Sequence, residues 1–251
     1  MLEKNKIYQI DALKGLKQLD DNSIDVIITS VPYNKLGLKE GKFTKKGKTN
    51  KWVAQIEYDN NAQNDNMPED EYQKWQIEIL EECKRVLKPR GSIFYNHKNR
   101  IYKGKIVSPY EWLLKTSLNI RQEIIWDRGS TQNVNTCRYL PITELIFWLT
   151  KNDSVDFYRG KDLQYKNEVW RFPFKANTAH PAPYPIDLPN AVLDCIPPNE
   201  DGSPKLVLDP FMGSGTTAVS AINHGFDYIG FELFQQYIEM ANKRIEEETK
   251  L

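Results

Sequence analysis

Apolar residues along this chain fall into short β-branched runs separated by longer stretches at helical spacing. Ile7-Tyr8-Gln9-Ile10 predicts a strand, and Ala12 to Leu19 a short helix with Leu13, Leu16 and Leu19 on one face. Ser23-Ile24-Asp25-Val26-Ile27-Ile28-Thr29 has the composition of a strand covered on both faces, as in the middle of a parallel sheet. Met67-Pro68-Glu69-Asp70-Glu71 places proline and acids in the first turn of a helix. Trp75, Ile79, Val86 and Leu87 carry that helix across Tyr72 to Leu87, and Lys88-Pro89-Arg90-Gly91 stops it. Further strands are predicted at Ser92 to Tyr95, Ile120 to Trp126, Leu145 to Thr150, Lys205 to Leu208 and Tyr228 to Phe231. Further helices are predicted at Pro109 to Leu118, Pro185 to Ile196, Thr216 to His224 (stopped by Gly225) and about Phe234 to Glu247. Strands alternating with helices predict an α/β fold on a doubly wound, mostly parallel sheet.

The remaining stretches are polar. Residues 34–66 hold seven lysines between Lys35 and Lys51, opposed there by Glu40 alone, and predict a mobile basic loop placed to clamp a charged substrate. Asp127 to Pro141 is a second polar loop, with Arg128, Gln132, Asn133, Asn135 and Arg138. Residues 151–180 interleave Arg159, Lys161, Lys166, Arg171 and Lys175 with Phe157, Tyr158, Tyr165, Trp170, Phe172 and Phe174, a mixture that suits contacts to nucleic-acid backbone and bases.

Length and composition narrow the picture. The 251 residues fit a single domain, 1–251, with a small insert. With 34 basic and 34 acidic residues the net charge is zero, so any nucleic-acid surface is local. Cys83, Cys137 and Cys195 are far apart and give neither a disulfide framework nor a metal spacing, and His97, His180 and His224 are equally scattered. No apolar run approaches the roughly 18 residues of a membrane span, and Met1 to Lys6 lacks the apolar core of a signal peptide. The expectation is a cytoplasmic protein with no membrane partner.

Two segments carry chemistry. The strand ending at Leu208 delivers Asp209 to its tip, and the loop Pro210-Phe211-Met212-Gly213-Ser214-Gly215 leads into a helix at Thr216. Gly213 and Gly215 let backbone pass close to a ligand. The next strand ends in Glu232, an acid placed to accept both hydroxyls of a ribose. No lysine follows the glycines, so the loop suits a cofactor with a ribose and a charged amino-acid tail rather than phosphates.

The second segment, Ser30-Val31-Pro32-Tyr33, follows a strand whose carboxyl end is where open α/β sheets place ligands. The lone pair of an aromatic amine is delocalised into its ring. An enzyme that uses it as a nucleophile favours the pyramidal nitrogen by accepting both N–H bonds. Ser30 Oγ and the Val31 carbonyl are the candidate acceptors, Pro32 stiffens the turn, and Tyr33 offers a face on which an extruded base stacks.

These residues resemble the amino-directed DNA methyltransferases, which carry (D/N/S)-P-P-(Y/F) and D-P-F-x-G-S-G-T-T. Asp209 to Thr217 matches the second motif residue for residue, and the order, catalytic motif first, is that of the β class. Arg85 to Gly91 resembles the family's R-V-L-K-P-G-G, and His180-Pro181-Ala182-Pro183-Tyr184-Pro185 its H-P-A-P-F-P. The resemblance implies a Rossmann-like fold and S-adenosylmethionine as methyl donor. It implies cofactor contacts from Asp11, Ala12, Asp209, Phe211, Gly213, Ser214, Gly215, Thr216, Glu232, His180 and Pro181, with Asp11 near the adenine and His180-Pro181 near the methionine end. It implies double-stranded DNA as substrate, target recognition from about 151–180, and a homodimer and a cognate restriction endonuclease as candidate partners. Val31 departs from the family's proline; its carbonyl survives but the turn is expected to be less rigid. Serine at position 30 is similar to members acting on cytosine N4, whereas members acting on adenine N6 usually carry aspartate; cytosine N4 is the favoured target and adenine N6 the alternative, ahead of an RNA or protein methyltransferase or a non-catalytic module that binds S-adenosylmethionine or DNA.

Overall fold

The computed structural model describes residues 2–34, 67–131, 136–160, 163, 165–172 and 184–249. The basic stretch 35–66, Gln132, Asn133, Asn135, Lys161, Phe174, Lys175, His180 and Pro181 lie outside the described residues. Along the chain come β1 (Lys6–Gln9), α1 (Ala12–Leu16), β2 (Ile24–Ser30), α2 (Glu69–Val86), β3 (Leu87–His97), β4 (Arg100–Tyr102), β5 (Lys105–Val107), α3 (Tyr110–Leu113), β6 (Asn119–Asp127), β7 (Thr143–Thr150), β8 (Val169–Arg171), α4 (Asp187–Leu193), β9 (Leu206–Asp209), α5 (Thr216–Asn223), β10 (Asp227–Glu232) and α6 (Gln235–Thr249).

One sheet takes the order β1-β10-β9-β2-β3-β7-β6-β8, and only β7 runs against its neighbours. The apolar run of β2 occupies the centre, as its two-sided hydrophobicity requires. Leu16, Tyr72, Ile79, Val86 and Trp112, from α1, α2 and α3, cover one face of the sheet. Leu188, Val192, Ala218, Ala221, Ile238 and Ala241, from α4, α5 and α6, cover the other. The helices that follow β2 and β9 therefore lie on opposite faces, and a crevice opens between the carboxyl ends of these two paired strands. Thr29 Oγ1 spans this point, donating to Asp209 Oδ1 at 2.9 Å.

Three local differences from the sequence expectations have physical causes. Lys88-Pro89-Arg90-Gly91 ends α2 but belongs to β3, because Leu87 turns directly to extended backbone; the β2–β3 register shifts between Ile24 and Val26. The helix expected over Pro109 to Leu118 closes after Leu113: the Thr116 hydroxyl donates to Leu113 O, and Glu81 accepts from the Ser117 amide and hydroxyl. The hairpin of β4 and β5 was not apparent in the sequence; it turns through Lys103 and Gly104, with φ of 48° and 78°. Among the described residues no helix is long and apolar enough to cross a membrane.

Candidate active site

The parallel strands β1, β10, β9, β2 and β3 all end on the same edge of the sheet, on both sides of the crevice, and polar residues collect there. On the β9–β10 side, Asp209 is fully buried. Its Oδ1 accepts from Thr29 Oγ1 and, at 3.0 Å, from the Phe211 amide; its Oδ2 accepts from Thr217 Oγ1 at 2.6 Å and Tyr184 Oη at 3.0 Å. Burial raises its carboxyl above the ordinary range against the pull of these four donors. With both oxygens occupied, Asp209 reaches a ligand only through the loop it shapes.

Glu232 closes that loop from the next strand. Its Oε2 accepts from the Gly213 amide at 2.9 Å, and its Oε1 from the amides of Leu233 at 2.9 Å and Phe234 at 3.0 Å. Glu232 is half-buried, and burial raises its carboxyl also. Its Oε2, with a single protein donor, keeps acceptor capacity for a ligand. Gly213 and Gly215 adopt φ of 52° and 82°, and a Cβ on Gly215 would stand 2.8 Å from the Ala241 Cβ, so α6 packs against bare loop backbone. Arg244 of α6 donates to Ser214 O at 2.7 Å and approaches Ser214 Oγ and Thr216 Oγ1, while Phe211 packs edge-on against Trp75.

Asp11 and Ala12 join this rim. The Ile10 amide donates to Glu232 O at 3.0 Å, and Asp11 caps α1 by accepting from the Lys14 amide at 3.1 Å; Ala12 is buried. Asp11 and Glu232, both partly exposed, give this rim an acidic character that disfavours phosphate and suits hydroxyls and cationic groups. The donor set thus fits a ligand with a ribose diol and a positively charged tail, as S-adenosylmethionine has, and does not fit a dinucleotide.

On the β2–β3 side, Ser30 Oγ donates to Asn96 Oδ1 at 3.0 Å and lies 3.1 Å from Tyr33 Oη. Tyr33 Oη is 2.8 Å from Asn96 Oδ1 and 2.9 Å from Glu144 Oε2. Asn96 is itself fixed by donating from Nδ2 to Leu145 O, and Glu144 by Arg128 Nη1 at 3.1 Å. The two hydroxyl protons satisfy the two outer acceptors, Asn96 Oδ1 and Glu144 Oε2, when both point into this network. In that arrangement the Ser30 oxygen keeps no proton to donate to a ligand and can only accept from it. Burial, and next the Glu144 carboxylate, hold the Tyr33 phenol well above its ordinary range, so it stays protonated and able to donate.

Val31 does not loosen the turn in the way its sequence suggests. Its side chain is buried in the core with Leu16 and Ile27. The Pro32 carbonyl accepts from Tyr72 Oη at 2.6 Å, and Tyr72 Oη in turn meets His97 Nε2 at 2.8 Å. Asn34 latches the far side to Met67 through two hydrogen bonds, at 2.9 and 3.0 Å. The rigidity that a second proline would supply comes from tertiary contacts. The Tyr33 ring lies 4.8 Å from that of His97, and the Lys98 ammonium sits 4.8 Å from its centroid.

The structure brings Ser30, Val31, Pro32 and Tyr33 to the crevice edge, next to Asp209 through Thr29. It divides the aromatic residues of 151–172. Trp170 and Phe172 are buried: β8 lies on β6, Trp126 Nε1 donates to Phe172 O at 3.0 Å, and Tyr165 packs on Phe172. These rings are core, and the exposed members are Phe157, Tyr158, Arg159, Lys166 and Arg171. Sequence reasoning missed Asn96, Tyr72 and Glu144. The first sits where β3 leaves its apolar run, the crevice edge at which polar residues are informative.

A family model described as DNA methylase matches residues 24–243. The chain is 31% identical to the Type II methyltransferase M.BglII of Bacillus subtilis, over 94% of this chain and 68% of that protein. It superposes on the PvuII DNA methyltransferase (cytosine-N4-specific) with a TM-score of 0.75 at 20% identity, covering 100% of this chain and 92% of the other. It superposes on the M1.HpyAVI–SAM complex with a TM-score of 0.59 at 22% identity, covering 95% and 98%.

Proposed function

This chain belongs to the DNA methylase family, and from that premise we propose that it transfers the methyl group of S-adenosylmethionine to the N4 amino group of cytosine in double-stranded DNA. The observation that supports this reading is the 3.0 Å contact of the Ser30 hydroxyl with Asn96 Oδ1, an acceptor that can take the serine proton. With that proton given to Asn96 Oδ1, the neutral Ser30 Oγ is an acceptor toward the crevice. It takes one amino N–H, and the Val31 carbonyl takes the other. Two acceptors so placed favour the pyramidal nitrogen and free its lone pair.

When bound, S-adenosylmethionine supplies an electrophilic methyl. Glu232 holds the ribose hydroxyls, Gly213 to Thr216 carry the backbone close to the cofactor, and Asp11 and Ala12 border the adenine side. Asp209 keeps the loop in shape from beneath. Tyr33 offers its ring to the extruded base. Methylation makes the amino nitrogen acidic, so its surplus proton leaves to water without a strong base, and a neutral serine suffices at position 30. Serine at position 30 and the cytosine-N4-specific name of the PvuII protein support cytosine as the target.

The test is Ser30→Ala assayed for transfer of labelled methyl to unmethylated DNA and, separately, for S-adenosylmethionine affinity. The reading expects transfer to fall by roughly 100-fold or more while affinity stays within about twofold. Wild-type turnover in the variant would refute the acceptor role of Ser30.

A further inference from the structure

Beyond the ends of β6 and β7 the chain leaves the sheet beside Tyr33. The root of this excursion is tightly tied. The Arg128 amide donates to Ile142 O at 2.9 Å, its Nη2 to Pro141 O at 2.9 Å, and its Nη1 pairs with Glu144, the residue that accepts from Tyr33 Oη. The Gly129 amide donates to Asp127 Oδ1 at 2.9 Å. The Arg128 side chain is 16% exposed and Glu144 7%, so the root is a fixed base.

Above this base, residues 136–143 are all exposed. Tyr139 is 99% exposed, Leu140 52% and Ile142 36%. Water-facing large apolar side chains are ordinary when single, but a run containing a fully exposed aromatic marks a surface that meets a partner. Arg138 stands next to the ring and brings a positive charge. The patch thus joins a flat ring, an aliphatic side chain and a cation on a short tip, rooted in a partner of the residue that receives the extruded base.

We propose that the tip Arg138-Tyr139-Leu140 inserts into duplex DNA at the gap that the target base leaves when it swings into the crevice. The inference rests on the DNA-methylation reading and deepens it. An emptied base position is a flat apolar slot between stacked pairs, bordered by phosphates. Tyr139 and Leu140 fill the slot, Arg138 pairs with the backbone, and the unstacked state is held open while Ser30 engages the amino group. The hydrogen bonds from Arg128 through Glu144 to Tyr33 tie the root of the tip to the pocket.

The test compares wild type, Tyr139→Ala and Tyr139→Ala/Leu140→Ala on two synthetic duplexes carrying the site that the wild type methylates. In one, the target cytosine is paired with guanine; in the other it stands opposite an abasic residue, so its extrusion costs little. All the changed side chains are exposed, so thermal stability and S-adenosylmethionine affinity should match the wild type. The double variant is expected to lose at least roughly 10-fold in kcat/KM on the paired duplex, and to stay within about threefold of wild type on the abasic one. Wild-type rates on the paired duplex, or an equal loss on both, would overturn the proposal. A wild type that methylates neither duplex nor any other DNA would overturn the methylation reading and this proposal with it.

Discussion

Asn96 Oδ1 lies 3.0 Å from the Ser30 hydroxyl, across the last register pair of β2 and β3. The contact sets which way the serine proton points, and so whether Ser30 offers lone pairs or a proton to a base. Replacing Asn96 by alanine frees the hydroxyl to rotate. We expect kcat to fall by roughly 10- to 100-fold, as for a misplaced reacting group, with S-adenosylmethionine affinity nearly unchanged. Asn96→Asp, which keeps an oxygen acceptor, should recover part of the loss. Equal kcat in wild type and Asn96→Ala would remove Asn96 from the account.

Asp209 and Glu232 should behave differently although both are acids at the ends of neighbouring strands. Asp209→Ala leaves three hydroxyls and the Phe211 amide without their acceptor in a buried place, and should cost about 2–4 kcal/mol of stability. Glu232 is half-exposed and faces the crevice, so Glu232→Ala should weaken S-adenosylmethionine binding by roughly 10-fold or more with a smaller change in Tm. Thermal melts and calorimetric titration of both variants separate the two roles. Undiminished affinity in Glu232→Ala would contradict the ribose assignment.

His97 predicts a pH dependence. It is fully buried, and burial depresses its imidazole from about 6.5 to about 3. Below pH about 6.5 the unfolded chain binds a proton that the folded chain refuses, so this contribution to stability is complete above pH 6.5 and is lost as pH falls toward 3. Its slope approaches about 1.4 kcal/mol per pH unit. Thermal denaturation between pH 8 and 5 should therefore show a steeper acid loss in wild type than in His97→Gln. Parallel slopes would show that His97 does not carry the effect.

The centre of this fold was legible because its signals are local. The β-branched run of β2, the acid-rich opening of α2 and the two glycines before α5 each impose their conformation within a few residues. The turn from Asp209 to Thr216 and the course of the chain from β2 into Ser30 to Tyr33 could be read for the same reason. The partners of Ser30 and Tyr33 could not, since Asn96 and Glu144 come from strands 66 and 111 positions away and meet them only when the sheet forms. The reverse holds for Trp170 and Phe172. Beside basic residues they resemble a nucleic-acid surface, yet β8 pairs with β6 and turns them into core. Local composition does not say which way an edge strand will face.

The central claim is transfer of a methyl group to a cytosine amino nitrogen held by Ser30 and Val31. The most direct measurement is nucleoside mass spectrometry on unmethylated DNA incubated with the protein and S-adenosylmethionine. N4-methylcytosine is the expected product, absent in Ser30→Ala. N6-methyladenine in place of N4-methylcytosine would contradict the target assignment, and no methylated nucleoside from protein that binds S-adenosylmethionine would contradict the claim as a whole.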